Sequence, residues 1–427
     1  MSETGKLFKN SSIVFVGTIV GSVFSYLFNM LMGRQLGPKS YGEMTALLSL
    51  LSIISVFGGA ILTVAMRYFS EFQAEGDLRR MKKLLALMTR NVYFLSVGIL
   101  LVLFALIKPI SGYLLIDNYL PVGIAFSCLV FGLVIMVNKG FLQGVQKFSA
   151  TSTIGALETF LRLTLGLLLV YFGLGLNGAL SAIVLASAIC YFVTFFPIQS
   201  AIAKMKIGNR AKKSYGHFNK ADVVKYLIPA ALSSGFLALL LNLDIILVKH
   251  YFSPADAGVY SAVSTIAKII LYATAPVISV MFPMISEKQV TGEKHFKIFF
   301  FSLFFVFFGS FIILGIYALA PAKIIQILYG KEYISLFYLL PEIGLAIVLY
   351  SVINLFVNYY LAIKKFFFLW FFLLAIIFQL VAISFFHDSI LIVVRLLILT
   401  FLLLFLLLFG YYIFGKRKQI LSLILEK

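Results

Sequence analysis

Blocks of about twenty Phe, Leu, Ile and Val residues recur along the chain, and each is long enough to cross a ~30 Å hydrocarbon core as a helix. Twelve spans are predicted, at 10–33, 42–66, 84–107, 120–139, 149–172, 176–198, 223–248, 258–281, 297–320, 335–360, 366–386 and 389–414. The segments between them alternate between basic and nearly charge-free. On this layout twenty-five of the 35 Lys and Arg residues fall on one side of the membrane, Lys139 and Lys147 among them. Six fall on the other: Arg34, Lys39, Lys108, Lys249, Lys323 and Lys331. Four lie inside spans: Arg90, Arg162, Lys268 and Arg395. Cytoplasmic loops carry the Lys/Arg excess, so the basic side is the cytoplasm, and an even number of spans places both termini there.

Composition removes other classes. A chain of 427 residues that is 62% hydrophobic and only 12% charged has too little polar surface for a soluble domain. A net charge of +19 would suggest nucleic acid in a soluble protein. Here it follows from the loops, and no nucleic-acid partner is expected. The two cysteines, Cys128 and Cys190, sit in apolar runs and imply no disulfide framework. The four histidines are far apart in different loops and lack metal-ligand partners at suitable spacing. The first apolar block follows Lys6 and Lys9 but is too long for a signal-peptide core, so it reads as a retained span. The 45 Phe and 22 Tyr read mostly as lipid-facing bulk and interfacial Tyr.

The chain repeats itself. Leu36-Gly37-Pro38-Lys39-Ser40-Tyr41-Gly42 follows the first span, and Phe252-Ser253-Pro254-Ala255-Asp256-Ala257-Gly258 follows the seventh, 216 residues later. Phe141 to Phe148 after the fourth span matches Tyr359 to Phe366 after the tenth, at an offset of 218. Two pairs at nearly one offset, each at equivalent places in a six-span half, predict parallel repeats related by an axis along the membrane normal. The expected fold is an all-α polytopic membrane protein with two six-helix bundles around a central cavity. The bundles are 1–198 and 223–427, joined by a basic cytoplasmic linker at 199–222.

The string Gly33-Arg34-Gln35-Leu36-Gly37-Pro38-Lys39-Ser40-Tyr41-Gly42 resembles the signature of bacterial polysaccharide-biosynthesis exporters, the O-antigen and capsule-type lipid-linked oligosaccharide flippases. Asn242-Leu243-Asp244, Pro254 to Tyr260, Pro276, and Phe282 to Ser286 extend the resemblance into the second half. It implies the fold of the multidrug/oligosaccharidyl-lipid/polysaccharide superfamily. The implied substrate is an undecaprenyl-diphosphate oligosaccharide, an O-antigen, capsule or exopolysaccharide precursor, carried to the outer leaflet of the inner membrane. A glycan polymerase and a chain-length regulator are possible partners besides membrane lipids. Ion coupling by H+ or Na+ is implied in the same way, with Asp244, Glu158 and Glu342 as the titratable candidates.

A path for a diphosphate-sugar headgroup calls for polar stripes and intramembrane cations. Ser11, Thr18, Ser22, Ser25 and Asn29 share one face of the first span. The competing reading is helix packing, because Gly17 and Gly21 form a small-xxx-small contact motif beside them. Glu158 and Arg162 lie near mid-membrane at i,i+4 spacing and are expected to pair along one face. Lys268, in the middle of the eighth span with no acidic neighbour on its helix, is the strongest candidate to meet a diphosphate or a carboxylate. Asp244, Arg90, Glu342 and Arg395 lie nearer span ends, where snorkelling relieves charge. Interfacial anchoring is preferred for Arg90 and Arg395. Arg34, Glu43 and Arg67 flank turns and read either as gates or as ordinary interfacial charge.

The chain holds no GxxxxGK[ST] phosphate loop, so it builds no ATPase of that type. Three functions compete. A lipid-linked oligosaccharide flippase is preferred. A cation-coupled drug or metabolite exporter of the same superfamily would want an anionic cavity. A membrane glycan polymerase or ligase would want a large outer loop and an acidic cluster.

Overall fold

The computed structural model describes the backbone of residues 3–204, 220–291 and 293–425, and the side chains of 16–73, 75–203, 228–289, 291 and 293–414. The side chains of Lys6, Lys9 and Ser11, most of the 199–222 linker, and the terminal cations from Lys416 onward lie outside the described residues.

Among the described residues the chain is helical throughout, as lipid requires of a span that must satisfy its own backbone. Helices α1 (Glu3–Ile54) and α2 (Val56–Glu75) form the first two crossings, and α3 (Leu78–Ala105) the third. The short α4 (Ile107–Tyr113) follows, then α5 (Tyr119–Gly144), α6 (Phe148–Leu169), α7 (Gly175–Val193) and α8 (Phe195–Lys204). The second half runs through α9 (Lys220–Tyr251), α10 (Pro254–Ala267), α11 (Ile269–Thr291), α12 (Phe296–Leu319), α13 (Pro321–Leu328), α14 (Leu339–Ala362), α15 (Leu369–Phe385) and α16 (Ile390–Leu425). Nine described stretches are long and apolar enough to span a membrane. Two of them, Val16–Gln73 and Phe148–Ala203, each hold two crossings, broken at Gly37 and at the Gly173–Gly175 turn. With the shorter Leu369–Phe385 these make the twelve crossings that the hydropathy pattern predicts.

The repeat is visible in the backbone. Gly37 (φ 72) breaks α1, and Pro38 opens the next helical run. At the equivalent place Ser253 caps α10, accepting from the Asp256 amide, with Pro254 in the first turn. Proline suits this position because its missing N–H would have no intrahelical partner. The ends of α5 and α14 agree more closely still. Gln146 (φ 59) and Lys364 (φ 56) both take the left-handed conformation that ends a helix. Lys147 N–H then reaches Leu142 C=O at 2.7 Å, and Lys365 N–H reaches Tyr360 C=O at 3.0 Å.

Two features lie where loops were expected. α4 follows the third crossing, and α13 with the 3-10 turn Lys331–Leu336 follows the ninth, so each half carries a short helix at the same step. Lys249, expected in an outer loop, is fully buried near the end of α9.

The chain divides into two compact units, Met1–Leu227 and Ile228–Lys427. In the first, α5 is the central helix and packs on α2, α3 and α7, while α1 lies along α6. In the second, α14 takes the central place against α10, α11, α12 and α16. Without a hydrophobic drive between helices in lipid, small residues decide how closely they approach. A Cβ at Gly140 would meet the Ala65 Cβ at 2.5 Å, and one at Gly144 would meet the Met66 carbonyl oxygen at 2.7 Å. The second unit relies more on buried aromatics. Tyr350 donates to the Leu237 carbonyl (2.9 Å), Tyr360 to Leu408 (2.8 Å) and Tyr317 to Ile266 (2.8 Å), each joining two helices. These tyrosines are therefore internal clips, not interfacial anchors.

Gly140→Val is expected to overpack the α2–α5 contact and to lower stability by about 1–3 kcal/mol. Gly132→Ala on the same helix, where a Cβ meets nothing within 4 Å, should be tolerated. Thermal unfolding of the two purified variants checks this pair, and equal melting temperatures would refute the close-contact role of Gly140.

Candidate functional site

Each unit gathers buried polar groups at its own cluster. In the first unit the Glu158 carboxylate, on α6, accepts from the Lys139 ammonium of α5 at 2.8 Å and from the Ser187 hydroxyl of α7 at 3.2 Å. Both charged side chains are about 85% withdrawn from solvent, with 14% and 15% exposure. This corrects the expected Glu158–Arg162 pair: the ion pair runs between helices, and Lys139 is a buried partner instead of a loop cation. A residue on a neighbouring helix can approach end-on, whereas an i,i+4 neighbour must bend along its own helix surface. Arg162 remains within electrostatic reach of Glu158. Its guanidinium carbon lies 5.9 Å from the centroid of the Phe28 ring, over α1. Two cations therefore share one carboxylate, and the cluster is net positive.

In the second unit Asp244, on α9, is buried and accepts from the Tyr260 hydroxyl of α10 at 2.6 Å. Its other carboxylate oxygen receives no side-chain hydrogen bond. Lys268 is also buried and lies within electrostatic reach of Asp244, beyond the 4 Å of a direct ion pair. The sequence suggests an unbroken eighth span around Lys268. The span is continuous there: Lys268 lies within the 36-residue stretch Pro254–Gln289 with helical φ/ψ, its N–H bonds the Ser264 carbonyl at 3.0 Å, and its carbonyl accepts from the Tyr272 N–H at 3.2 Å.

The polar stripe on α1 lies beside a packing face. Gly17 and Gly21 approach Ser152 and Thr159 of α6, and Phe24 meets Phe160 edge-on at 5.4 Å. Thr18 is exposed, Ser22, Ser25 and Asn29 are half-buried, and the Asn29 amide donates to the Ser25 carbonyl at 2.9 Å. Packing and polar stripe thus occupy adjacent faces of one helix. Arg34 and Arg395 are exposed, and Glu43 and Arg67 are half-buried. Glu342 sits in the first turn of α14, where the helix dipole favours an acid. Arg90 is exposed on α3 and lines a recess in the first unit.

Sequence reading missed Lys139, Ser187 and Tyr260 as polar partners. Lys139 gave one signal, standing in Val137-Asn138-Lys139-Gly140, directly before a glycine at a helix contact. Tyr260 stood at the end of the Pro254-to-Tyr260 string, though not as a partner of Asp244; Ser187 gave no signal, since isolated Ser occurs throughout the spans.

The arrangement of helices is that of a known class of membrane transporter. An inward-facing multidrug-resistance MATE transporter of the MOP superfamily superposes with a TM-score of 0.72, covering 94% of this chain and 99% of that one at 13% identity. The lipid II flippase MurJ, in an inward closed conformation, gives 0.70, with 95% and 87% covered at 14% identity. At such identities the likeness establishes the fold. The family is set by sequence: residues 7–289 match the profile of the polysaccharide biosynthesis proteins, and the chain belongs to that family. An uncharacterized membrane protein of Methanocaldococcus jannaschii is 27% identical over 295 residues, 66% of this chain and 68% of its own length.

Lys139→Ala, which leaves Glu158 buried without its ammonium, should cost about 3–5 kcal/mol. Lys139→Met combined with Glu158→Gln should recover most of that loss. Thermal unfolding in detergent reads both, and an unrecovered double variant would show that Lys139 acts through packing alone.

Proposed function

We propose that this protein is a flippase for a polyprenyl-diphosphate-linked oligosaccharide, undecaprenyl diphosphate in a bacterial cell. It would carry repeat units of a surface polysaccharide from the cytoplasmic to the outer leaflet by alternating access, with both termini in the cytoplasm. The observation that carries the reading is the family match over 7–289, which sets the chain among polysaccharide biosynthesis proteins. The fold by itself does not choose, since a MATE transporter and a lipid II flippase resemble it almost equally. The buried charge supports a substrate bearing phosphates. Lys139 and Arg162 outnumber Glu158 in the first cluster, and a net cation in a low-dielectric setting favours an anion. An exporter of organic cations would want the opposite sign.

Lys268 is the residue on which the reading is most exposed. We assign it the role of holding either the diphosphate or the Asp244 carboxylate during transport. Asp244 and Glu158 are the carboxylates for ion coupling, whether by H+ or Na+.

Deletion of the gene should remove surface glycan while lipid-linked repeat units accumulate on the cytoplasmic face. Normal surface glycan in a strain without a redundant exporter would refute the proposal. In complementation, Lys268→Ala should abolish surface glycan at an unchanged protein level. Lys268→Arg should keep part of the function, and Arg395→Ala should be much milder. Loss of a cation beside a buried carboxylate costs several kcal/mol, about 3–5 in measured cases, which is enough to lower transport by orders of magnitude. Full complementation by Lys268→Ala would remove that lysine from the mechanism.

A further inference from the structure

The recess lined by Arg90 has no part in either buried cluster. It has a volume of about 520 Å³ and lies within the first unit, between α3, α5 and the α7–α8 joint. Its α3 wall carries Lys82, Thr89 and Arg90, which recur at helical spacing along one stripe. Lys82 and Arg90 are eight residues apart, ~12 Å along the axis, within the reach of two long side chains turned toward each other. The opposite wall is aromatic: Phe131 and Tyr191 stand 6.1 Å apart, and Tyr191 and Phe195 5.3 Å.

Charge is unbalanced in this recess. Lys82 and Arg90 are both exposed, and among the described residues neither has a carboxylate within 4 Å. The acids at the α2–α3 turn, Glu75 and Asp77, are both engaged by Arg80. α3 is the least buried of the long helices, with 11% of its most apolar window covered by protein. A guanidinium on an apolar span with no protein carboxylate beside it is a place for an anion. The one buried amide of the lining, that of Asn138, already donates to the Thr194 hydroxyl at 2.6 Å. Cations on the α3 wall and a cluster of tilted and edge-to-face rings on the other fit a small anionic head and an acyl chain.

We propose that this recess binds one anionic glycerophospholipid. Its phosphate lies between Lys82 and Arg90, and one chain lies against Phe131, Tyr191 and Phe195. Basic pockets between spanning helices are an established kind of site for anionic lipid heads. The site is separate from the transported substrate, and it would make stability and transport depend on the anionic lipid content of the bilayer.

The test uses the purified full-length chain and native mass spectrometry, with phosphatidylglycerol and phosphatidylcholine of matched chains. The wild type should retain phosphatidylglycerol preferentially, and added salt should weaken that preference. Each basic side chain near a membrane surface contributes about fivefold, so the double variant Lys82→Gln/Arg90→Gln should bind phosphatidylglycerol about thirtyfold more weakly. Its phosphatidylcholine binding should not change. Phe131→Ala should weaken both lipids, and Lys82→Arg/Arg90→Lys, which keeps both charges, should keep the preference. Should the Gln variant fail to fold, the charge-keeping variant and the salt dependence in the wild type carry the decision. Equal retention of the two lipids, wild-type binding in the Gln variant, or a salt-independent preference would overturn the assignment. Displacement of phosphatidylglycerol by an equimolar polyprenyl phosphate would give the recess to the transported lipid and overturn it equally.

Discussion

Hydrocarbon supplies no hydrogen-bond partner, and this single lack shapes most of what the chain does. It makes the described structure helical throughout and leaves sharp breaks such as those at Gly37 and Gly173–Gly175 to glycine. Polar side chains inside the spans mostly turn back on their own helix. Thr45, Ser127, Thr274, Ser351 and Thr400 each donate to a carbonyl four residues earlier. Such bonds satisfy the side chain without asking anything of a neighbour. What remains after this local satisfaction is a short set of groups that must find partners on other helices, and that set defines the functional candidates.

The two units solve the packing problem differently. The first brings helices together at glycines, with α5 on α2 through Gly140 and Gly144, and α1 on α6 through Gly17 and Gly21. The second fills its contacts with large rings, among them Phe299, Phe356, Tyr359, Tyr360 and Tyr412, and ties them to backbone carbonyls through tyrosine hydroxyls. A common six-crossing plan has therefore been kept while the side chains that hold it have diverged. The charged clusters follow the same course. At an offset of 216, Asp244 corresponds to Phe28, the ring beneath Arg162. One half places a carboxylate where the other places an aromatic face toward a cation.

For transport the two clusters offer different chemistry. Lys139, Glu158 and Ser187 form a complete interhelical set, suited to holding α5, α6 and α7 in register. Asp244 takes a side-chain hydrogen bond on one oxygen only, and Lys268 lies near it without a direct ion pair. A carboxylate with one oxygen free of side-chain hydrogen bonds, beside an ammonium it does not touch, can change partner. That asymmetry makes the second cluster the better place for a step that alternates between states.

The sequence by itself determined the number of crossings, their order, the two-half plan and the family. These depend on properties carried by contiguous residues: apolar length against bilayer thickness, turn chemistry at Pro38 and Pro254, and the similar helix ends at Gln146 and Lys364. The charged positions were legible too, because a Glu or Arg in an apolar run needs no structure to be seen. Their pairing was not. Whether Glu158 meets Arg162 on its own helix or Lys139 on another depends on helix rotation and depth, and hydrophobic pattern leaves both open when a span is apolar on every side. Only tertiary packing set the close α2–α5 approach that places Lys139 inside and the recess of the first unit that Lys82 and Arg90 line.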